Sequence, residues 1–210
     1  MPFTCNARSL GLLIVAMLFS ASSMTLEPLR VDGDRILDTA GRSVLLHGMN
    51  CGEKSSQRRH ESWHGPEDFH NMRRWGMNCL RLLVHWSALE PEPGAYDEDY
   101  LQRLDRRIQW ARDAGIYVIL DMHQDLFSEA IPGGNGAPTW AVITDAMPDY
   151  RYGGIWSAAY TTSPMLHAAF DNFWKKPPAP TASAFRTATP WRGRISRAAT
   201  PGKPPSSAST

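Results

Sequence analysis

The sequence predicts an α/β fold built on a parallel sheet, and three observations carry that prediction. Two nearly continuous apolar runs, in "NCLRLLVHW" and "IYVILDMHQD", have the character of parallel strands covered on both faces. The stretches between strands are long enough for helices, and one spaces Leu101, Leu104, Ile108 and Ala111 at helical intervals. Polar residues suited to chemistry follow consecutive strands: Asn50 after the first, His85-Trp86 after the second, and His123 to Asp125 after the third. Strand, helix, strand, helix, strand is the opening of a doubly wound sheet and of a (β/α)8 barrel alike. The third observation favours the barrel, whose chemistry gathers at the C-terminal ends of its strands. The chain supplies three such strands, so the expected architecture is the N-terminal part of a (β/α)8 TIM barrel, incomplete, with an exposed edge and an apolar inner face.

The elements follow in order. Arg8 precedes a short apolar run from Leu10 to Phe19, and Ser20-Ala21-Ser22-Ser23 supplies small residues after it. The run is too short to span a bilayer as a helix, and residues 1–24 read as a secretory signal. That implies a secreted, periplasmic or extracellular protein with no stable membrane span once the signal is removed. "VDGDRILDTAGRSVLLHGMN" reads as a small hairpin with turns at Asp32-Gly33 and Ala40-Gly41. It feeds a first core strand through Val44-Leu45-Leu46. Pro66-Glu67-Asp68 starts a helix that carries Phe69, Met72, Arg73 and Trp75 and stops near Gly76. After the second strand, "SALEPEPGAYDEDY" reads as a loop. A helix then runs from Tyr100 to Ala114, closed by Gly115, and the third strand follows. Cys51 and Cys79 fall at strand ends and are expected as free, partly buried thiols, although a bridge between them stays open.

Residues 25–174 therefore form the domain, and the composition changes sharply after Trp174. The segment 175–210 has seven Pro, seven Lys or Arg and no Asp or Glu. Of the chain's 22 basic and 21 acidic residues, the first 174 hold 15 and 21, a net charge of −6 against +7 for the tail. A basic, Pro-rich tail with little periodic apolar content is expected to be disordered. Its charge supports only weak, salt-sensitive attraction to phosphate. It has few interleaved aromatic residues, so no nucleic-acid partner is expected.

Several residues are candidates for chemistry. His123 and Asp125 are two apart at a strand end and point the same way, so an imidazole and a carboxylate can line one rim pocket. They suit a polyhydroxylated ligand or acid/base work, or simply the holding of a loop. No third ligand stands in an obvious position, so no metal is expected, and no cofactor. Arg81 lies inside an apolar strand and should face a carboxylate or carbonyl group, because an unpaired charge there is costly. Trp86 reads equally as a ring for stacking on a sugar and as a cap on the core. Lys54 is by default a surface lysine. Glu90 and Glu92 sit in one loop between prolines and are expected to be solvated. "PGGNGAP" at 132–138 lacks the context of a phosphate loop and reads as part of the rim.

The pieces "LHGMN", "NMRRWGMNCLRLLVHWSALEPEPGAYDEDYL", "AGIYVILDMHQDLFSE" and "GNGAPTWA", taken in that order and spacing, resemble glycoside hydrolase family 5. The resemblance runs from about Leu29 to Trp174 and is greatest to the family's endoglycoceramidase-like branch, retaining β-glycosidases that act on glycolipids. It implies that Arg81 supports the nucleophile and that His123 and Asp125 hold the sugar at the cleavage site. It also points to Lys54 in that role, although "CGEKSS" departs from the usual hydrophobic context. Asn50 and Trp86, taken from their places after the first and second strands rather than from the resemblance, complete the expected substrate-binding set. The decisive pair in that family is an acid/base Glu after an Asn on strand four and a nucleophile Glu after strand seven. No Asn-Glu dipeptide occurs in this chain, so no catalytic Glu is assigned, and a truncation or a shift of reading frame after Trp174 is the expected origin of the tail. Permissible codons for 180–193, read in another frame, yield a family-like segment. The expected partner is a carbohydrate or glycolipid substrate, and the chain itself is expected to be inactive. The alternative is a noncatalytic carbohydrate- or glycolipid-binding remnant, with Trp63, Trp86 and Trp140 as stacking surface.

Overall fold

The computed structural model describes residues 26–150 and 154–175. The expected signal, 1–24, and nearly all of the basic tail lie outside the described residues. A hairpin opens the domain, β1 (Arg30–Asp32) pairing antiparallel with β2 (Arg35–Leu37). Its turn uses Gly33 at φ 60°, a conformation that glycine adopts without a steric penalty.

The main sheet has three parallel strands in the order β3 (Gly48–Cys51), β4 (Cys79–Val84), β5 (Tyr117–Met122). The crossovers are α1 (Pro66–Arg74) and α3 (Glu98–Asp113). Both helices begin as their sequences dictate. Asp68 accepts from the Gly65 amide at the start of α1, which has Pro at its first position. Asp97 caps α3 by accepting from the Tyr100 amide. Gly76 and Gly115, at φ 86° and 72°, follow the two helix ends.

Alternation along β4 sorts the residues. Leu80, Leu82 and Val84 pack with Phe69 and Met72 of α1 and with Leu101, Leu104 and Ile108 of α3 in one core. The alternating set on the other face includes Arg81, with Ile119 and Asp121 on β5. With three strands the sheet is open, and Met49 and Ile119 are exposed by 42% and 47%. This is the partial alternating architecture expected, open at its edges.

Three expectations are corrected. The first core strand starts at Gly48 rather than in Val44-Leu45-Leu46, and Leu45 is 86% exposed. Gly48 tolerates this register because its backbone passes so close to the Cys79 carbonyl that a β-carbon would fall on the oxygen. The loop after β4 contains a short helix, α2 (Trp86–Leu89). Glu90 is not solvated: it is 1% exposed, whereas Glu92 stays on the surface. Its carboxylate takes the indole N–H of Trp86 at 2.9 Å and the Gly94 amide at 2.8 Å, so a loop that reads as polar is knotted around a buried charge.

Beyond β5 the chain folds through residues 126–142, and the last described elements are α4 (Ala159–Thr162) and α5 (Pro164–Lys175). A second core joins Trp86, Leu126, Phe127 and Ile131 to Leu166 and Ala169 of α5. Among the described residues no helix is long and apolar enough to cross a membrane. Cys51 and Cys79 are buried free thiols.

Candidate functional site

Strand alternation builds one line of charge. On β5 and just past it, Asp121, His123 and Asp125 are each two residues apart, the spacing that places side chains on one face of a strand. Arg81 on β4 registers with Ile119 and reaches diagonally to Asp121, Nη2 to Oδ2 at 2.8 Å. The arginine inside an apolar strand thus has a carboxylate, although its side chain is 44% exposed on the open inner face rather than desolvated. His123 Nδ1 meets the same Asp121 oxygen at 3.0 Å. An ionised carboxylate only accepts, so Nδ1 carries the proton. Nε2 lies 3.4 Å from Asp125 Oδ2 but is not aligned for a hydrogen bond. Nε2 is itself buried, with no hydrogen-bond partner among the described residues.

Asp125 is the most crowded member. Lys54 Nζ donates to its Oδ2 at 2.8 Å and Asn135 Nδ2 at 3.0 Å. Burial pushes the Asp125 carboxyl up. The hydrogen bonds from Lys54 and Asn135 and the charges of Lys54 and His123 outweigh that and hold it below its ordinary value. Asp125 is therefore a fixed acceptor. The arrangement reads Arg81, Asp121, His123, Asp125, Lys54, with cations at both ends, carboxylates inside them and an imidazole between.

Two loops deliver the outer parts. Residues 52–65 carry Lys54, and α3 clamps them where Arg107 donates to the Ser62 carbonyl. The glycine-rich segment after β5 carries Asn135, whose backbone exchanges hydrogen bonds with Asp125 at 2.8 and 3.1 Å. Gly134 and Gly136 permit this close approach, since a β-carbon on either would meet carbonyl oxygens of 123–131 at 3.0 Å or less. The rim loop is thus the support of Asp125. Leu126 and Phe127 follow with φ of 49° and 69°, uncommon for side chains of that size, and both are buried.

His85 stands behind this line. It is wholly buried, stacks on His60 with ring centroids 4.0 Å apart, and meets His123 edge-on at 5.6 Å. Burial, reinforced by the neighbouring His60 and His123, pushes it down to about 3, so it is neutral near pH 7.

The structure thus gathers Lys54, His123, Asp125 and Arg81: Arg81 and His123 share Asp121, and Lys54 and His123 share Asp125. Asn50 sits opposite Arg81 in the strand register and with it lines an open hollow of about 250 Å³ on the inner face, bounded also by Met49 and Ile119. Trp86 is 4% exposed, edge-on to Trp140 at 5.4 Å and bonded to Glu90. Of the two readings the sequence left open, it is the core cap, and its ring is closed to a ligand in this structure. Trp140 also packs inward, donating to the Glu90 carbonyl at 3.2 Å, while Trp63 is 74% exposed and stacks on His64. Sequence reasoning missed Asp121 and Asn135. Asp121 was legible as the strand partner that Arg81 required; Asn135 depended on a loop closure that no local pattern encodes. Among the described residues no group of three or more His, Cys, Asp or Glu is placed to hold a metal.

Comparison with known proteins gives a consistent set of relatives. Residues 37–176 match the family described as cellulase (glycosyl hydrolase family 5). The chain is 36% identical over 147 residues to endoglycoceramidase I of Rhodococcus hoagii, covering 70% of this chain and 29% of that protein. Among solved structures, endo-glycoceramidase II from a Rhodococcus species superposes with a TM-score of 0.60 at 37% identity, covering 71% of this chain and 36% of that one. An endogalactoceramidase gives 0.63 at 33% identity, over 73% and 38%. The chain therefore spans about a third of the length of these relatives.

Proposed function

The chain belongs to glycosyl hydrolase family 5, and from that membership we propose that residues 25–174 are the first part of a (β/α)8 barrel that holds the sugar of a β-glycoside, with glycolipids as the substrate class. The observation that carries the reading is Asp125, an ionised acceptor bracketed by Lys54, Asn135 and His123 at the end of a barrel-type strand. All three approach Oδ2, which leaves Oδ1 to accept from a sugar hydroxyl. The Lys54 ammonium, 54% exposed at its side chain, donates to a sugar oxygen, while His123, held by Asp121, backs Asp125 from the strand end. Polar groups on rigid neighbours orient a ring at little entropic cost on binding. Arg81, fixed on Asp121, and Asn50 beside it face the region where a retaining enzyme places its nucleophile. A solved relative is described as a lactosyl-enzyme intermediate, which supports a retaining course and a lactosyl probe. The apolar N-terminal run supports export from the cytoplasm.

Cleavage itself needs two carboxyl groups about 5 Å apart, one of them protonated. The described carboxylates around the site suit neither part: Asp121 and Asp125 are engaged by cations, and Glu90 is walled into the core by Trp86 and Gly94. Residues 1–210 accordingly bind and orient a β-glycoside without hydrolysing it. The test is prolonged incubation of the full chain with a fluorogenic β-lactoside, with wild type and His123→Ala in parallel. No released fluorophore is expected from either. Release by wild type that His123→Ala abolishes would overturn the noncatalytic reading.

A further inference from the structure

We infer that His60 and His85 are a paired positioning device, whose stacked rings tie the loop that carries Lys54 to the strand end that carries His123 and so set Lys54 upon Asp125. The inference rests on reading Lys54, His123 and Asp125 as the sugar-holding group.

The contacts close a circuit. His60 Nδ1 lies 3.3 Å from the carbonyl oxygen of Glu53, the residue before Lys54. The other side of the same imidazole stacks on His85 at 4.0 Å and 18° between planes. His85 meets His123 edge-on at 74°, His123 faces Asp125, and Asp125 receives Lys54. Each link is short, and the two ends of the circuit are neighbours in sequence.

Three features make the stack a positioning device rather than incidental packing. First, neither ring nitrogen of His85 has a hydrogen-bond partner among the described residues, and the residue is fully buried. Buried polar atoms left unmet are uncommon and call for an explanation. Here the ring contributes a flat, neutral face on one side and an edge target on the other. Second, Arg59 and His60 both adopt positive φ, 53° and 52°. Left-handed backbone at consecutive non-glycine residues is held by its surroundings, and this turn is what swings the His60 ring onto His85. Third, the backbone of His85 is itself fixed, its amide donating to the buried Tyr100 hydroxyl at 3.1 Å. The pillar is anchored to α3, and the loop leans on it.

The test reads the geometry of Lys54 on Asp125 without any sugar. Carbon-13 NMR of the full chain follows the ionisation of the Asp125 carboxyl in wild type, Lys54→Met, His60→Asn and His85→Phe. Asparagine tolerates positive φ and removes the stacking ring, while phenylalanine keeps a flat ring and removes the nitrogens. His60→Gly repeats the comparison should the asparagine variant not fold. Lys54→Met is expected to raise the Asp125 midpoint toward its ordinary value, His60→Asn to raise it in the same direction, and His85→Phe to leave it as in wild type. A folded His60→Asn protein with the wild-type midpoint would overturn the inference, as would a His85→Phe protein that shifts like Lys54→Met. Affinity for methyl β-lactoside is measured alongside. If wild type fails to bind it while His60→Asn still releases Asp125, the positioning device stands and the sugar reading falls.

Discussion

Replacing Glu90 by alanine should unfold this protein far more readily than its place in a proline-flanked loop suggests. Its carboxylate is 1% exposed and accepts from the Trp86 indole at 2.9 Å and the Gly94 amide at 2.8 Å. Hydrogen bonds to a charged group contribute about 1.5–3 kcal/mol each. Their loss also leaves two donors in a closed site without this acceptor, so Glu90→Ala should cost about 3–5 kcal/mol. For a chain of this size each kcal/mol lowers the melting temperature by about 2–4 °C, which makes the expected fall about 6–20 °C. Glu90→Gln keeps the shape and one acceptor and should cost about 1–3 kcal/mol. Glu92→Ala, two residues away and exposed, should stay within about 0.5 kcal/mol of wild type. Urea unfolding followed by tryptophan fluorescence measures all three. Equal midpoints for Glu90→Ala and Glu92→Ala would refute the argument that this loop is built around a buried carboxylate.

Two further outcomes follow from burial. Trp86→Ala should destabilise by about 3–5 kcal/mol, as large core truncations do, whereas Trp63→Ala, at a ring 74% exposed, should leave the urea midpoint nearly unchanged. Stability should also fall as pH drops from about 6.5 toward 3, because His85 is pushed down from 6.5 to about 3 and the unfolded chain takes up its proton first. That one group gives a slope of up to about 1.4 kcal/mol per pH unit. His60 and His64, also pushed down by burial, act in the same direction. His85→Phe should flatten the slope between pH 6 and 4, which urea midpoints at fixed pH would register; an unchanged slope would remove His85 as its source.

What the sequence discloses here divides along physical lines. Elements set by periodicity are legible: β4, β5, α1 and α3 each carry their apolar stripe and their own cap or stop. The parallel order follows from the helical crossovers. The site is legible wherever strand alternation governs it, which is why His123 and Asp125 share a face and Arg81 has a carboxylate partner. It becomes illegible where a loop folds back. Lys54 is a default surface lysine until residues 52–65 are seen clamped by Arg107, and Asn135 reaches Asp125 only because two glycines let the backbones touch. Glu90 misleads for the same reason. Its neighbours are turn formers, and nothing local reveals that Trp86, four residues back, and Gly94, four ahead, enclose it. Leu45, apolar and 86% exposed, shows the opposite failure, an apolar residue ahead of the strand that the fold leaves uncovered.

The most direct test of the sugar-holding site is a calorimetric titration of the full chain with methyl β-lactoside, with the cell contents assayed afterwards for free lactose. Wild type should give saturable heat and no lactose. Asp125→Asn, which removes the charge that fixes Lys54 and His123, should weaken or abolish that heat while the fold, followed by circular dichroism, is kept. Absence of saturable heat in wild type, or equal heat from a folded Asp125→Asn protein, would contradict the account.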